Sequence, residues 1–145
     1  MGMTNGKPAL CAALGCAGSL IARAFGGWDS GLVTLLVFMA ADYISGMLVA
    51  GVFHASDKTP SGGLESRAGW KGLCRKGMTL LIVLIAHRLD VAAGTTVIRD
   101  AVVIAYICNE AISVTENAAL MGVPVPDRLA AAIDALQGRQ GKGDE

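Results

Sequence analysis

The sequence predicts an all-α integral membrane protein with three to four spanning helices and a short amphipathic helix near its C-terminus. Its composition points there first: 53% of the 145 residues are hydrophobic and only 17% charged, against about a quarter charged in an ordinary soluble domain. Mean hydropathy is positive, +0.53. Apolar residues also gather in blocks about as long as the ~20 helical residues a bilayer demands, and no stretch alternates as a strand would. Residues 1–137 read as one multi-span domain, and residues 138–145, glycine-rich and charged, as a flexible cytoplasmic tail. A formal net charge of zero gives no footing for a nucleic-acid partner.

The first block, about Pro8 to Phe25, is built from small residues. Ala9, Ala13 and Ala17 recur every four positions, as do Cys11, Gly15 and Ser19, a spacing that lets helices approach closely in lipid. The block is short and poor in leucine, so it spans only marginally. Lys7 ahead of an apolar run also fits a secretory signal peptide. The helical pattern continues to Arg23 without a clear cleavage site, so retention is expected.

Gly26-Gly27-Trp28-Asp29-Ser30 is a turn, with Trp28 suited to the headgroup level. The clearest span follows, Gly31 to Phe53, 23 residues with a single charge at Asp42. His54 to Gly72, rich in Gly, Ser, Pro and Lys, is expected to be an aqueous loop, with Trp70 as a second interfacial anchor. A third span covers about Gly77 to Gly94 and a fourth Ala101 to Met121. Beyond Pro124 and Pro126, Leu129, Ala132, Ile133 and Leu136 fall on one helical face.

Lys58, Arg67, Lys71, Arg75 and Lys76 all fall between the second and third spans. The opposite side holds Arg88 and Arg99, joined by Arg23 if the first block spans. Positive residues favour the cytoplasmic side, which places this loop, and the C-terminus two spans later, inside. The expected location is therefore the bacterial cytoplasmic (inner) membrane, multi-pass.

Charge inside the spans is the most informative feature. Glu110 is the tenth residue of the 21-residue fourth block, near the bilayer midplane. A central carboxylate costs ~2.5–3.5 kcal/mol on insertion, whereas each Leu, Ile, Phe or Val returns ~0.3–0.6. Val102, Val103, Ile104, Ile107, Ile112, Val114 and Leu120 thus offset about 2–4 kcal/mol, enough for Glu110 but not for Asn109, Glu116 and Asn117 as well. This helix needs partners. Tyr106, Glu110, Ser113 and Asn117 form one polar stripe. His87 and Asp90 are neighbours on the third helix, and Asp42 stands alone on the second.

Three readings of these residues stay open. They hydrogen-bond within one protomer and lock the bundle, or they face an oligomer interface that can become wet. A proton or ion pathway is a third possibility. The four cysteines form no CxxC pair and have no histidine at zinc-ligand spacing, so they read as small buried hydrophobic residues. No nucleophile–base pair, phosphate loop or metal cluster is evident, and neither catalysis nor a cofactor is expected.

The chain resembles the toxin-secretion/phage-lysis holin family. The resemblance is carried, in order, by Asp42-Tyr43-Ile44-Ser45-Gly46, Lys71-Gly72-Leu73 with Arg75-Lys76, and Ala86-His87-Arg88-Leu89-Asp90. It continues through Ile98-Arg99, Tyr106-Ile107-Cys108-Asn109-Glu110, Ser113-Val114 with Glu116-Asn117, and Gly122-Val123-Pro124-Val125-Pro126. No one piece is specific; the ordered set, over roughly residues 27 to 137, is. The long loop His54–Gly69 and the alanine-rich first block depart from the usual pattern. The resemblance implies a protein that forms homo-oligomers among membrane lipids and opens lesions, through which an endolysin, or in some relatives a toxin, leaves the cell. It brings no catalytic residues. The alternatives are a small ion channel or transporter subunit, and a non-lytic membrane interaction protein such as a holin antagonist.

Overall fold

The computed structural model describes residues 6–140 as five helices joined by short turns and one longer loop. Helix α1 covers Gly6–Ala24, α2 Ser30–Gly51, α3 Ser66–Ala93, α4 Val97–Leu120 and α5 Asp127–Gln140. All described regular structure is helical, as composition and periodicity predict.

Each boundary has a local cause. Pro8 stands in the first turn of α1, where its missing N–H has no helical acceptor to lose. Asp29 caps α2, its carboxylate accepting from the Leu32 amide at 2.8 Å. Gly94 ends α3 in the left-handed conformation, φ 67°, that a residue without Cβ adopts freely. Thr96, at the N-cap of α4, makes no capping bond with its side chain. Asp90 from the preceding helix takes over that role: its carboxylate accepts from the amides of Ile98 at 3.1 Å and Arg99 at 2.7 Å, and from the Thr95 hydroxyl at 2.5 Å.

Helix α4 is the centre of the bundle. Both α2 and α3 lie along it, α5 rests against its C-terminal part, and α2 and α3 touch each other only slightly. Leu32, Leu35, Met39, Val83 and Val103 form the buried core, lined by Phe25, Leu36, Leu80, Val102, Tyr106 and Ile107. That core fills the half of the bundle nearest the α1–α2 and α3–α4 turns. The other half is held by polar contacts.

With 22 residues and ~1.5 Å rise per residue, α2 is ~33 Å long, enough for a ~30 Å hydrocarbon layer. It is the one described helix both long and apolar enough to cross a membrane by itself. At 28 and 24 residues, α3 and α4 are longer but carry charges along their length. Helix α1 buries only Ala22 and leaves Leu10, Leu14, Leu20 and Ile21 exposed.

One expectation needs correcting. The aqueous loop predicted to reach Gly72 stops at Glu65, and Ser66–Gly72 is the start of α3. Gly69 and Gly72 read locally as breakers, yet they pass beside Tyr43 of α2: a Cβ on either would meet its hydroxyl or ring at 3.5–3.8 Å. Tertiary contact overrides their weak helix propensity. Within the true loop, Thr59 is buried, its hydroxyl donating to the Gly63 carbonyl at 2.9 Å. The sequence also places a flexible tail from Gly138; α5 runs on to Gln140, and the remainder lies outside the described residues.

Candidate functional site

Two polar clusters tie the three central helices together, one in each half of the bundle. The inner cluster is built around Lys76. Its ammonium donates to Asp42 Oδ2 of α2 at 2.8 Å and to Glu110 Oε2 of α4, joining three helices through one atom. All three side chains are nearly enclosed, 12% exposed for Lys76, 13% for Asp42 and 7% for Glu110, so these are buried ion pairs rather than surface ones. Asn117 extends the cluster by about two turns of α4. Its amide donates to Ser45 Oγ at 2.9 Å and to Asp42 Oδ1 at 3.2 Å. Two carboxylates thus share one ammonium, and Asp42 alone also accepts from the carboxamide.

The sequence places Lys76 in the basic loop, and the structure corrects this. It stands more than two turns inside α3, with its ammonium turned to the bundle interior. The signal was present: two mid-span carboxylates with no cation of their own, and a lysine directly abutting the apolar run from Gly77.

The outer cluster is built around Arg99, whose side chain is 7% exposed. Its Nε donates to the Phe25 carbonyl at 2.6 Å and its Nη1 to Asp29 Oδ2 at 2.6 Å, with Asp100 at 3.4 Å. Arg99 therefore fastens the α1–α2 turn to the start of α4. The guanidinium beside Asp29 holds that carboxyl below its usual 3.8; the Leu32 amide acts in the same direction, while partial burial opposes both. Gly26 makes the approach possible. It has φ 89°, and a Cβ there would lie 2.9 Å from His87 Nδ1 and 3.2 Å from Arg99 Nε. Neither Asp29 nor Arg99 was singled out as a site residue on sequence, because turn and interface charges are ordinarily solvated.

The predicted polar residues fall into three groups. Asp42, Glu110 and Asn117 meet in the inner cluster, with Tyr106 and Ser113 half-buried on the same face of α4. His87 and Asp90 belong to the outer half. Asp90 is buried and committed to the first turn of α4, and His87 is half-buried beside Gly26. Asn109 and Glu116 lie elsewhere, exposed on the outside of α4. The reading of the cysteines as buried holds for Cys108 alone; Cys11, Cys16 and Cys74 lie exposed on the surfaces of α1 and α3.

This arrangement of charge within long helices can be set beside known proteins. A model described as the bacteriophage holin family matches residues 19–138, which takes in both clusters. An uncharacterised 14.9 kDa protein in the nagH 3' region of Clostridium perfringens is 37% identical over 85% of this chain and 89% of its own length. An uncharacterised Listeria monocytogenes protein, Lmo0128, is 37% identical over 88% of this chain and 86% of its own. A "Probable holin" of Bacillus phage phi105 is 36% identical over 63% of each chain. No solved structure matches. The family model spans α2 to α4 with both their ionic clusters, and on that extent the chain belongs to the bacteriophage holin family.

Proposed function

We propose that this protein is a holin that resides in the bacterial cytoplasmic membrane, assembles there with copies of itself and opens lesions that release an endolysin or a toxin. The observation that carries the reading is the Asp42–Lys76–Glu110 cluster, joined to membership of the holin family. A helix such as α4, bearing Glu110 near its middle, is poorly placed in lipid alone. Docked against α2 and α3 with Lys76 between the carboxylates, it forms a unit that crosses the bilayer. Helices α2, α3 and α4 are then the spans. The α2–α3 loop and the N-terminal turns of α3, with Lys58, Arg67, Lys71 and Arg75, face the cytoplasm, as does the C-terminus.

Asp42, His87, Asp90, Tyr106, Glu110, Ser113 and Asn117 are then groups that hold the protomer together within lipid, and Asn109 and Glu116 the ones directed at its surroundings. The test is inducible expression in bacteria with and without a co-expressed endolysin. Sudden loss of membrane potential, followed by lysis only when the endolysin is present, is the expected outcome. Selective flux of a small ion without endolysin release would replace this reading by a channel subunit, and an intact membrane throughout would replace it by a non-lytic partner.

A further inference from the structure

The inner cluster pairs the mid-helix charges of α2, α3 and α4 that face the bundle, and one polar face of α4 lies outside it. Asn109 and Glu116 are seven residues apart, hence on one side of α4, and both are exposed and meet no polar partner among the described residues. Glu116 is near the inner end of α4, where water reaches it, but Asn109 lies two turns deeper, so water at the boundary does not account for the whole of this face. Lipid cannot pair with Asn109 there, and a second protein surface can.

The complementary surface is on α3. Lys71 and Arg75, one turn apart, are exposed and make no ion pair among the described residues. Helices α3 and α4 run antiparallel through the Gly94–Thr96 turn, so residues equally far before and after Thr95 share a depth. Glu116 lies as many residues beyond Thr95 as Cys74 lies before it, which sets its carboxylate level with the neighbours of Cys74, Lys71 and Arg75. One protomer thus offers an acidic face on α4 and a basic face on α3 at the same depth, and no ion pair joins them among the described residues.

We propose that copies of this chain associate head to tail in the membrane, Glu116 of one copy pairing with Arg75 and Lys71 of the next. Such a contact uses two different surfaces, so each copy retains a free face of either kind and the assembly grows into a ring or an array rather than stopping at a dimer. The inference rests on the reading that α3 and α4 span the membrane, and it assigns the surfaces through which the proposed holin assembles.

The test uses the full chain in bacterial membranes, with Cys11→Ser and Cys16→Ser to leave Cys74 as the exposed native thiol, and Leu120→Cys one turn from Glu116 on α4. A short, membrane-permeable bismaleimide should then join the thiol introduced at position 120 of one copy to Cys74 of the next, giving a ladder of dimer, trimer and higher species. Adding Glu116→Lys should abolish the ladder, and Arg75→Glu on top of it should restore the ladder. A ladder indifferent to Glu116→Lys overturns the proposal. So does one that stops at dimer, and so does failure of Arg75→Glu to rescue a chain that accumulates normally in the membrane. Endolysin release is followed in parallel: lesions without the ladder sink this interface and spare the holin reading, while the ladder without lesions does the reverse.

Discussion

Replacing Lys76 by methionine is the most searching perturbation of the bundle. Methionine keeps most of the aliphatic stem and removes the ammonium, leaving Asp42 and Glu110 facing each other with only Asn117 and Ser45 nearby. Removing one partner of a buried ion pair costs about 3–5 kcal/mol, because the remaining charge stays buried without compensation. The groups here are 7–13% exposed, so solvent screens little of this. Since α2 and α3 barely touch, the loss falls on the docking of α3, shifting its docked fraction by about two to four powers of ten. Three further variants locate the cause. Glu110→Gln alone leaves a one-to-one Lys76–Asp42 pair and should be mild. Lys76→Met combined with Asp42→Asn and Glu110→Gln removes all the charge and should recover most of the loss. Thermal unfolding in detergent and proteolysis of α3 in membranes are the assays, with lysis timing as the functional readout. If Lys76→Met unfolds at the wild-type temperature, or the triple variant is no more stable than the single one, the ionic account of the inner cluster is wrong.

Asp29→Asn should lower stability by about 1 kcal/mol, since a capping side chain is retained while a half-exposed ion pair is lost. The Asp29 carboxyl titrates below 3.8 in the folded state, so its ionic contribution is fully present above about pH 4–5 and is lost as pH falls through the depressed value. The stability gap between wild type and Asp29→Asn, measured against pH in detergent, should be flat near neutrality and close only in strong acid; a gap that changes between about pH 6 and 8 would assign it to another group. Gly26→Ala combines a left-handed backbone with a methyl group pressed on His87, and a loss of more than about 1 kcal/mol is expected from the unfolding midpoint. A dual reporter fused after Gln137 should report a cytoplasmic C-terminus, and activity confined to the periplasm would refute the three-span topology.

The helices were legible in the sequence because hydrophobic blocks and breakers act locally. Gly26-Gly27 and Pro124 with Pro126 fall between helices as expected, and the first and fourth blocks lie within a few residues of α1 and α4. The start of α3 was not legible, because Gly69 and Gly72 are held helical beside Tyr43 of another helix. Glu110 and Asn117 were visible as misplaced polarity, and so was Asp42. What joins them was not, since Lys76 lies 34 positions from both Asp42 and Glu110 and stands last among the basic residues that precede the third span. Periodicity did place Asn117 and Glu110 on one stripe, but it could not distinguish that stripe from the outward face bearing Asn109 and Glu116 until α2 and α3 were seen to cover only one of them.

Stability alone is a weak reason for a bundle to keep an ammonium between two carboxylates. Well-shaped apolar side chains in the same space are often at least as stable as a buried ionic group, so the value of the inner cluster lies in what it forbids. Helices α2 and α3 meet too little for side-chain interdigitation to fix their alignment, and the apolar core lies in the other half of the bundle. Sliding α3 by one residue rotates its side chains by ~100° and carries Lys76 out of reach of Asp42 and Glu110, leaving two buried carboxylates bare. A slide by a whole turn restores the angle but moves the ammonium ~5.4 Å along the axis, beyond hydrogen-bonding distance of at least one partner. Only one register of three satisfies all the charge, and that same register sets Lys71 and Arg75 at the depth of Glu116. The buried cluster thereby determines where the outward charges lie, and with them the geometry in which one copy can meet the next.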